Sequence, residues 1–147
     1  MEIEKKYLIK ELPFSLEDYP SQKIEQGYLC VDPVVRIRRS NDDYYLTYKS
    51  SGLMAREEYN LLLTREAYDH LRPKIDGHLI SKTRYLIPYQ GLTIELDDFH
   101  IPFDDLLIAE VEFATEEEAL TFIPPKWFGE DVTFSTKYHN STLSQLD

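Results

Sequence analysis

The chain has a single cysteine, Cys30, so it can form no internal disulfide and suits a reducing compartment. Cys30 lies in the apolar run GYLCV and is read as a packing residue. No apolar stretch approaches the roughly 18 residues of a membrane-spanning helix. The first residues, MEIEKK, carry carboxylates where a signal peptide is basic, so no membrane partner is expected and the cytoplasm is the expected location. Also missing are a Gly-rich phosphate loop, a G-x-S-x-G elbow and paired Cys/His metal spacing, which excludes the chemistries built on them. With no internal repeat, low-complexity tract or linker, residues 1–147 read as one domain. Positive charge is scarce. The net charge of −11 repels nucleic acid through its general field, so none is expected as a partner.

A hydrophobic content of 42% and an aromatic content of 13% are enough to build a folded core, and eleven tyrosines lean that core towards β structure. The opening run is Glu2-x-Glu4-x-Lys6. A strand has a side-chain period of two, so both carboxylates and the ammonium leave one face. Taken alone, this run also suits a solvated edge strand.

The same habit recurs along the chain. VVRIRR sets Arg36 and Arg38 against Val35 and Ile37, YYLTYK sends Lys49 to the side of Tyr45 and Thr47, and MAREEYN sends Arg56 with Glu58. SKTRYLI pairs Lys82 with Arg84, LTIELDDF pairs Glu95 with Asp97, and LIAEVEF pairs Glu110 with Glu112. In an ordinary antiparallel sheet such polar faces meet water. Here, however, each strand tends towards one sign, and like charges two residues apart need a partner of opposite sign in a low-dielectric enclosure. Mg²⁺ or Mn²⁺ satisfies the carboxylate pairs, and phosphate oxygens satisfy the guanidinium and ammonium groups. A curled or closed sheet brings all of them into one cavity, with helices over the apolar outer faces. A small, compact polyanion is then the expected partner, and an apolar cargo is disfavoured.

Strands are expected near residues 2–10, 33–40, 43–50, 53–63, 78–88, 91–99 and 105–113. Ser15 is a candidate cap for a short helix, and Gln26-Gly27-Tyr28 leads into a further extended piece. Asn41-Asp42-Asp43 and Tyr89-Gln90-Gly91 read as hairpin turns. Thr64 precedes a helix that presents Tyr68 and Leu71 to a sheet and ends at Pro73; Thr115 and Glu118 form a capping box; Lys137 to Leu146 reads as a terminal helix or turn. His70, His78 and His100 are read as surface or packing histidines, with His100 able to reach a tunnel mouth. Trp127 and Phe128 read as a hydrophobic plug.

In order along nearly the whole chain run Glu2-x-Glu4-x-Lys6, Gly27-Tyr28, Val35-Arg36-Ile37-Arg38, Tyr45-Leu46-Thr47-x-Lys49, Arg56-x-Glu58, Lys82-Thr83-Arg84-Tyr85, Glu95-x-Asp97-x-Phe99, Glu110-x-Glu112 and Tyr138-x-Asn140. This ordered set resembles the CYTH, or triphosphate tunnel metalloenzyme, superfamily. The resemblance implies a mainly β fold, a closed eight-stranded antiparallel β-barrel that forms a tunnel with a charged lumen. It also implies Mg²⁺- or Mn²⁺-dependent hydrolysis or cyclisation of triphosphate-bearing substrates. Carried over by residue, Glu2, Glu4 and Glu112 hold a first metal, with Glu110 and Asp97 close by to serve a second metal or the attacking water. Lys6, Arg36, Arg38, Lys49, Lys82 and Arg84 bind the phosphate chain, and Arg56, Glu58 and Glu95 share the lumen. Lys6 sits beside the metal carboxylates and is a candidate to position the attacking water. Asn60 and Leu62 depart from the acidic alternation that relatives often continue after Glu58.

The expected activity is hydrolysis of inorganic triphosphate to pyrophosphate and phosphate, by a monomer or homodimer. Thiamine triphosphatase, nucleoside triphosphatase and class IV adenylyl cyclase are the alternatives within the superfamily. A non-catalytic polyphosphate- or nucleotide-binding module, or a barrel held by internal ion pairs, are the alternatives outside it.

Overall fold

Alternating apolar and charged residues build one antiparallel sheet whose ends nearly meet. The computed structural model describes residues 1–52, 54–100 and 103–145. Its strands are β1 (Glu2–Leu8), β2 (Ser21–Val31), β3 (Val34–Ser40), β4 (Asp43–Lys49), β5 (Ala55–Arg56), β6 (Glu58–Leu63), β7 (Asp76–Tyr89), β8 (Leu92–Phe99) and β9 (Leu107–Glu112). The helices are α1 (Arg65–Leu71), α2 (Glu116–Thr121) and α3 (Asn140–Leu143). The nine strands lie in the order β5-β1-β9-β8-β7-β2-β3-β4-β6. The two ends of that order, β5 and β6, are consecutive in the chain and separated only by Glu57, so the sheet returns on itself as a nearly closed barrel. If β5 and β6 are taken as one strand interrupted at Glu57, the expected eight-stranded barrel is recovered. The closing seam is short, because β1 meets β5 only at Glu2↔Arg56 and Ile3↔Ala55.

Three expectations change. The segment from Ser21 to Val31 is a full strand of 11 residues, where only an extended piece leading on from Gln26 was expected. Its pattern is broken by Gly27, at which an added Cβ would lie 2.7 Å from Ile75, and by register shifts on either side of Tyr28. No helix follows Ser15, whose hydroxyl accepts from the Glu17 N–H instead. The expected strand 53–63 divides into β5 and β6, and its first residue, Leu53, lies outside the described residues. The terminal stretch forms a 3₁₀ turn, Thr136–Tyr138, followed by α3, while Leu146 lies outside the described residues.

The turn and cap chemistry follows the sequence. Gln90 and Gly91 both take positive φ, 48° and 77°, which matches the twist of a two-residue hairpin. The Thr64 hydroxyl accepts from Ala67 N and the Thr115 hydroxyl from Glu118 N, capping α1 and α2.

Two apolar clusters sandwich the charged lumen. Outside the barrel, Ile3, Ile94, Leu96, Ala109 and Val111 pack beneath Phe14, Trp127 and Phe128. Irregular segments therefore cover much of this outer face, alongside the helices, and Trp127 and Phe128 belong to this covering layer. Tyr28, Val34, Ile80, Phe99, Ile108 and Leu143 of α3 form the second cluster. Ile80, Phe99 and Ile108 share the inward parity of Lys82, Asp97 and Glu110, so they form an apolar plug at one end of the barrel.

Candidate active site

Period-two alternation points the charged rows of eight strands at one cavity of about 160 Å³. β1 contributes Glu2, Glu4 and Lys6, β3 contributes Arg36 and Arg38, and β4 contributes Lys49. Arg56 comes from β5, Glu58 from β6, Arg84 from β7, Glu95 from β8, and Glu110 and Glu112 from β9. Of the residues expected in the lumen, only Lys82 and Asp97 do not line it. Both side chains are fully buried and bonded to each other at 2.7 Å. Asp97 also accepts from Arg84, Nε at 2.7 Å and NH2 at 2.9 Å, and so forms a base that orients the Arg84 guanidinium.

Most of the lumen charges are already in pairs. Lys49 lies 2.8 Å from Glu2 and 3.2 Å from Glu58, Lys6 lies 3.6 Å from Glu110, and Arg84 reaches Glu95 at 3.0 Å and Glu110 at 3.5 Å. Burial opposes ionisation of Glu110, yet Lys6, Arg84, Lys82 and Lys49 hold it well below the usual carboxylate range. Burial likewise opposes the charge on Lys6, but Glu110 and Glu4 outweigh it and raise the pKa, so Lys6 stands as a cation. Lys82 is pulled down to about 7 by burial despite Asp97, with Arg84 adding to the pull.

The exceptions locate two unsatisfied walls. Glu4 is raised by burial and by Glu110 and Glu2, and Glu112 by burial and by Glu58, Glu95 and Glu4. Glu4 and Glu112 are register partners on β1 and β9, and Glu112 has no ion pair among the described residues. Arg36 and Arg38 on β3 also have no carboxylate partner among the described residues. Burial, with Arg36 and Arg84 alongside, pushes Arg38 down to about 9, the mark of a cation short of counter-charge. In the cyclic strand order β9 stands opposite β3, and β1 opposite β2, so Glu112, which has no cation partner, and Glu4, which has only Arg56 at 4.0 Å, stand across the lumen from guanidiniums without a carboxylate partner.

Sequence reasoning missed several contributors. Tyr28, Val34, Asn60, His139 and Asn140 also line the cavity. Asn60 links Thr47, whose hydroxyl it accepts at 2.6 Å, to Glu58, to which it donates at 3.2 Å. His139 is drawn down to about 4 by burial, Lys6 and Arg56, and is therefore a neutral imidazole. Behind Arg38, Gln26 accepts from its Nε at 2.8 Å. The Tyr138-x-Asn140 spacing was the one available signal for the C-terminal residues. Nothing in the sequence singled out His139, and Gln26 showed only as part of an extended piece. The histidines that were weighed lie elsewhere: His100 bonds Thr83 at the surface, and His70 is exposed on α1.

The fold and site define a nearly closed antiparallel β-barrel with an ion-lined lumen plugged at one end. The chain belongs to the CYTH domain family, whose model matches residues 1–147. An inorganic triphosphatase of Nitrosomonas europaea is 36% identical, with the match covering 97% of this chain and 96% of that protein. An inorganic triphosphatase of Acetivibrio thermocellus is 35% identical over 97% of this chain and 92% of its own length. The crystal structure of an inorganic triphosphatase superposes with a TM-score of 0.74 at 34% identity, covering 100% of this chain and 96% of that one.

Proposed function

We propose that this protein is a divalent-metal-dependent triphosphatase that hydrolyses inorganic triphosphate to pyrophosphate and phosphate. The observation that carries the reading is the polarised lumen, with Glu4 and Glu112 short of a cation on one side and Arg36 and Arg38 short of an anion on the other. The names of the two relatives support the same activity. A cavity of about 160 Å³ lined mostly by charged side chains suits a bare phosphate chain. Sites for drug-sized organic ligands are larger, about 300 Å³ and up, and mostly apolar.

The donor set fits a hard cation, since carboxylate oxygens suit Mg²⁺ or Mn²⁺ and the pair Glu4 and Glu112 is under-compensated, with Arg56 at 4.0 Å from Glu4 its one ion-pair partner among the described residues. Among the described residues no three acidic or imidazole side chains yet converge as a metal centre. Glu4 and Glu112 are the residues to hold the ion, with Glu2 the third once it leaves Lys49. Asp97 is committed to Lys82 and Arg84 and drops out of that set. When bound, the metal supplies Lewis-acid neutralisation of phosphoryl oxygens.

Arg36 and Arg38 grip the phosphate chain from the opposite wall, with Lys49, Arg56 and Arg84 exchanging part of their pairing for substrate oxygens. Lys6, held as a cation by Glu110 and Glu4, faces the developing charge as a donor and does not serve as the proton acceptor. Water attacks a phosphorus atom in line, the P–O bond to the pyrophosphate leaving group breaks, and a lumen carboxylate takes the water proton. The test is phosphate release from triphosphate, thiamine triphosphate, ATP and long-chain polyphosphate with Mg²⁺ or Mn²⁺. Triphosphate should give the highest kcat/KM, and cyclic AMP formed from ATP at a higher kcat/KM would replace this reading with a cyclase.

A further inference from the structure

Two buried side-chain donors have no acceptor among the described residues, Nε2 of Gln26 and Nε of Arg36. They are close neighbours. Gln26 on β2 is the register partner of Arg38 on β3, and Tyr28, two residues on, partners Arg36. Gln26 is fully buried, and its Oε1 accepts from Arg38 Nε at 2.8 Å. That bond fixes which way the amide points, because the reversed orientation would set an NH₂ against an N–H. It also engages Arg38 through Nε and leaves the two terminal nitrogens of the fork for another acceptor, the geometry that suits a phosphoryl group.

We propose that Gln26 is the positioning residue of a phosphoryl-binding subsite formed by Arg36 and Arg38, holding Arg38 through Oε1 from behind the cavity wall. This rests on the triphosphatase reading and names residues that act within it. A buried amide serving packing alone has both ends satisfied or is replaced by an apolar side chain, since an orphaned buried donor is costly. Here the orphans sit together, on the wall whose cations also lack counter-charge. An anionic group with several acceptor oxygens answers the free terminal nitrogens of Arg38 and the counter-charge that this wall lacks. No carboxylate within the barrel does so, because those near Arg84 are already committed to it.

The test compares wild type, Gln26→Leu and Gln26→Glu in steady-state turnover of triphosphate with Mg²⁺ or Mn²⁺, alongside thermal melts. Gln26→Leu removes the bond that positions Arg38 while keeping the buried volume. KM should rise at least about 10-fold with kcat changed far less, because a contact made equally in ground and transition states is lost. Gln26→Glu keeps an acceptor for Arg38 Nε but has no donor and cancels positive charge, so its KM should rise at an unchanged melting temperature. Should Gln26→Leu fail to fold, Gln26→Glu decides alone. In an Arg38→Ala background the effect of Gln26→Leu should shrink to about 2-fold, since positioning has nothing left to position. An undiminished effect there overturns the positioning role. Wild-type KM in both folded variants overturns the subsite, whereas a wild type that does not turn over triphosphate at all overturns the triphosphatase reading itself.

Discussion

Glu4 on β1 and Glu112 on β9 face each other directly in register, so two carboxylates stand side by side on the lumen wall, each raised by burial and acidic neighbours. The proposed divalent cation would complete such a pair. Chelator should abolish turnover, and Mg²⁺ or Mn²⁺ should restore it. Glu112→Gln keeps the size and removes the charge, so kcat should fall by about 10²-fold, taking the loss of one strong electrostatic stabiliser as the scale. Raising the metal concentration should recover part of the rate. Full activity of the wild type after exhaustive chelation would remove Glu4 and Glu112 from the ligand set.

The same crowding has a stability signature without metal. A carboxyl whose folded pKa lies above 4.5 binds more protons folded than unfolded, so its contribution to stability declines as pH rises from 4.5 through the raised value. Glu4→Gln removes that cost near neutrality. Metal-free Glu4→Gln should therefore melt about 3 °C above metal-free wild type, on the scale of roughly 1 kcal/mol for a domain of this size. A lower melting temperature would show that Glu4 is already well compensated by Arg56, 4.0 Å away.

Asp97 calls for a different expectation from the lumen carboxylates. It is fully buried and shared between Lys82 and Arg84. Asp97→Asn leaves buried cations without their partner, a change that costs about 3–5 kcal/mol when a buried pair is broken. Calorimetry should show a large drop in melting temperature, and added metal should not restore activity. A well-folded Asp97→Asn with metal-rescued turnover would return Asp97 to the ligand set.

That distinction marks where the sequence stops being informative. Alternation tells which face a side chain leaves by, so Glu95 and Asp97, like Lys82 and Arg84, were assigned correctly to the inward face. It does not tell depth. Glu95 lines the cavity while Asp97, two residues further along β8, lies beneath it, because the staggered ladder sets Arg84 against Asp97 and Lys82 against Phe99 at the plug. β2 was legible only as an extended piece leading on from Gln26, for a related reason. Its inward residues Ile24, Gln26 and Tyr28 mix apolar with polar, its outward residues include Lys23, Glu25 and Gly27, and so neither face reads as a charged row. With β2 went Gln26. The break at Glu57 was hidden because Arg56 and Glu58 keep the same parity on either side of it, while Glu57 N–H bonds Ser50 Oγ and its carbonyl accepts from Ser50 N–H. His139 depends on where a short C-terminal turn docks, which a local pattern does not encode.

His139 provides the last test, because its environment was invisible in the sequence and is specific in the structure. Burial, Lys6 and Arg56 depress its pKa from 6.5 to about 4. A histidine depressed in the folded state contributes stability that is complete above 6.5 and is lost as pH falls through the window down to about 4. The raised carboxylates Glu2, Glu4, Glu95 and Glu112 act in the opposite sense over the acidic range, so the melting curve of the wild type alone mixes the two. Comparison with His139→Gln separates them. The carboxylate contributions cancel in the difference, which should be largest near pH 7 and shrink steadily towards about pH 4. Thermal melts of both proteins in metal-free buffer across that range provide the measurement. A difference that stays constant with pH would mean that His139 titrates like a free histidine and does not stand neutral beside Lys6 and Arg56.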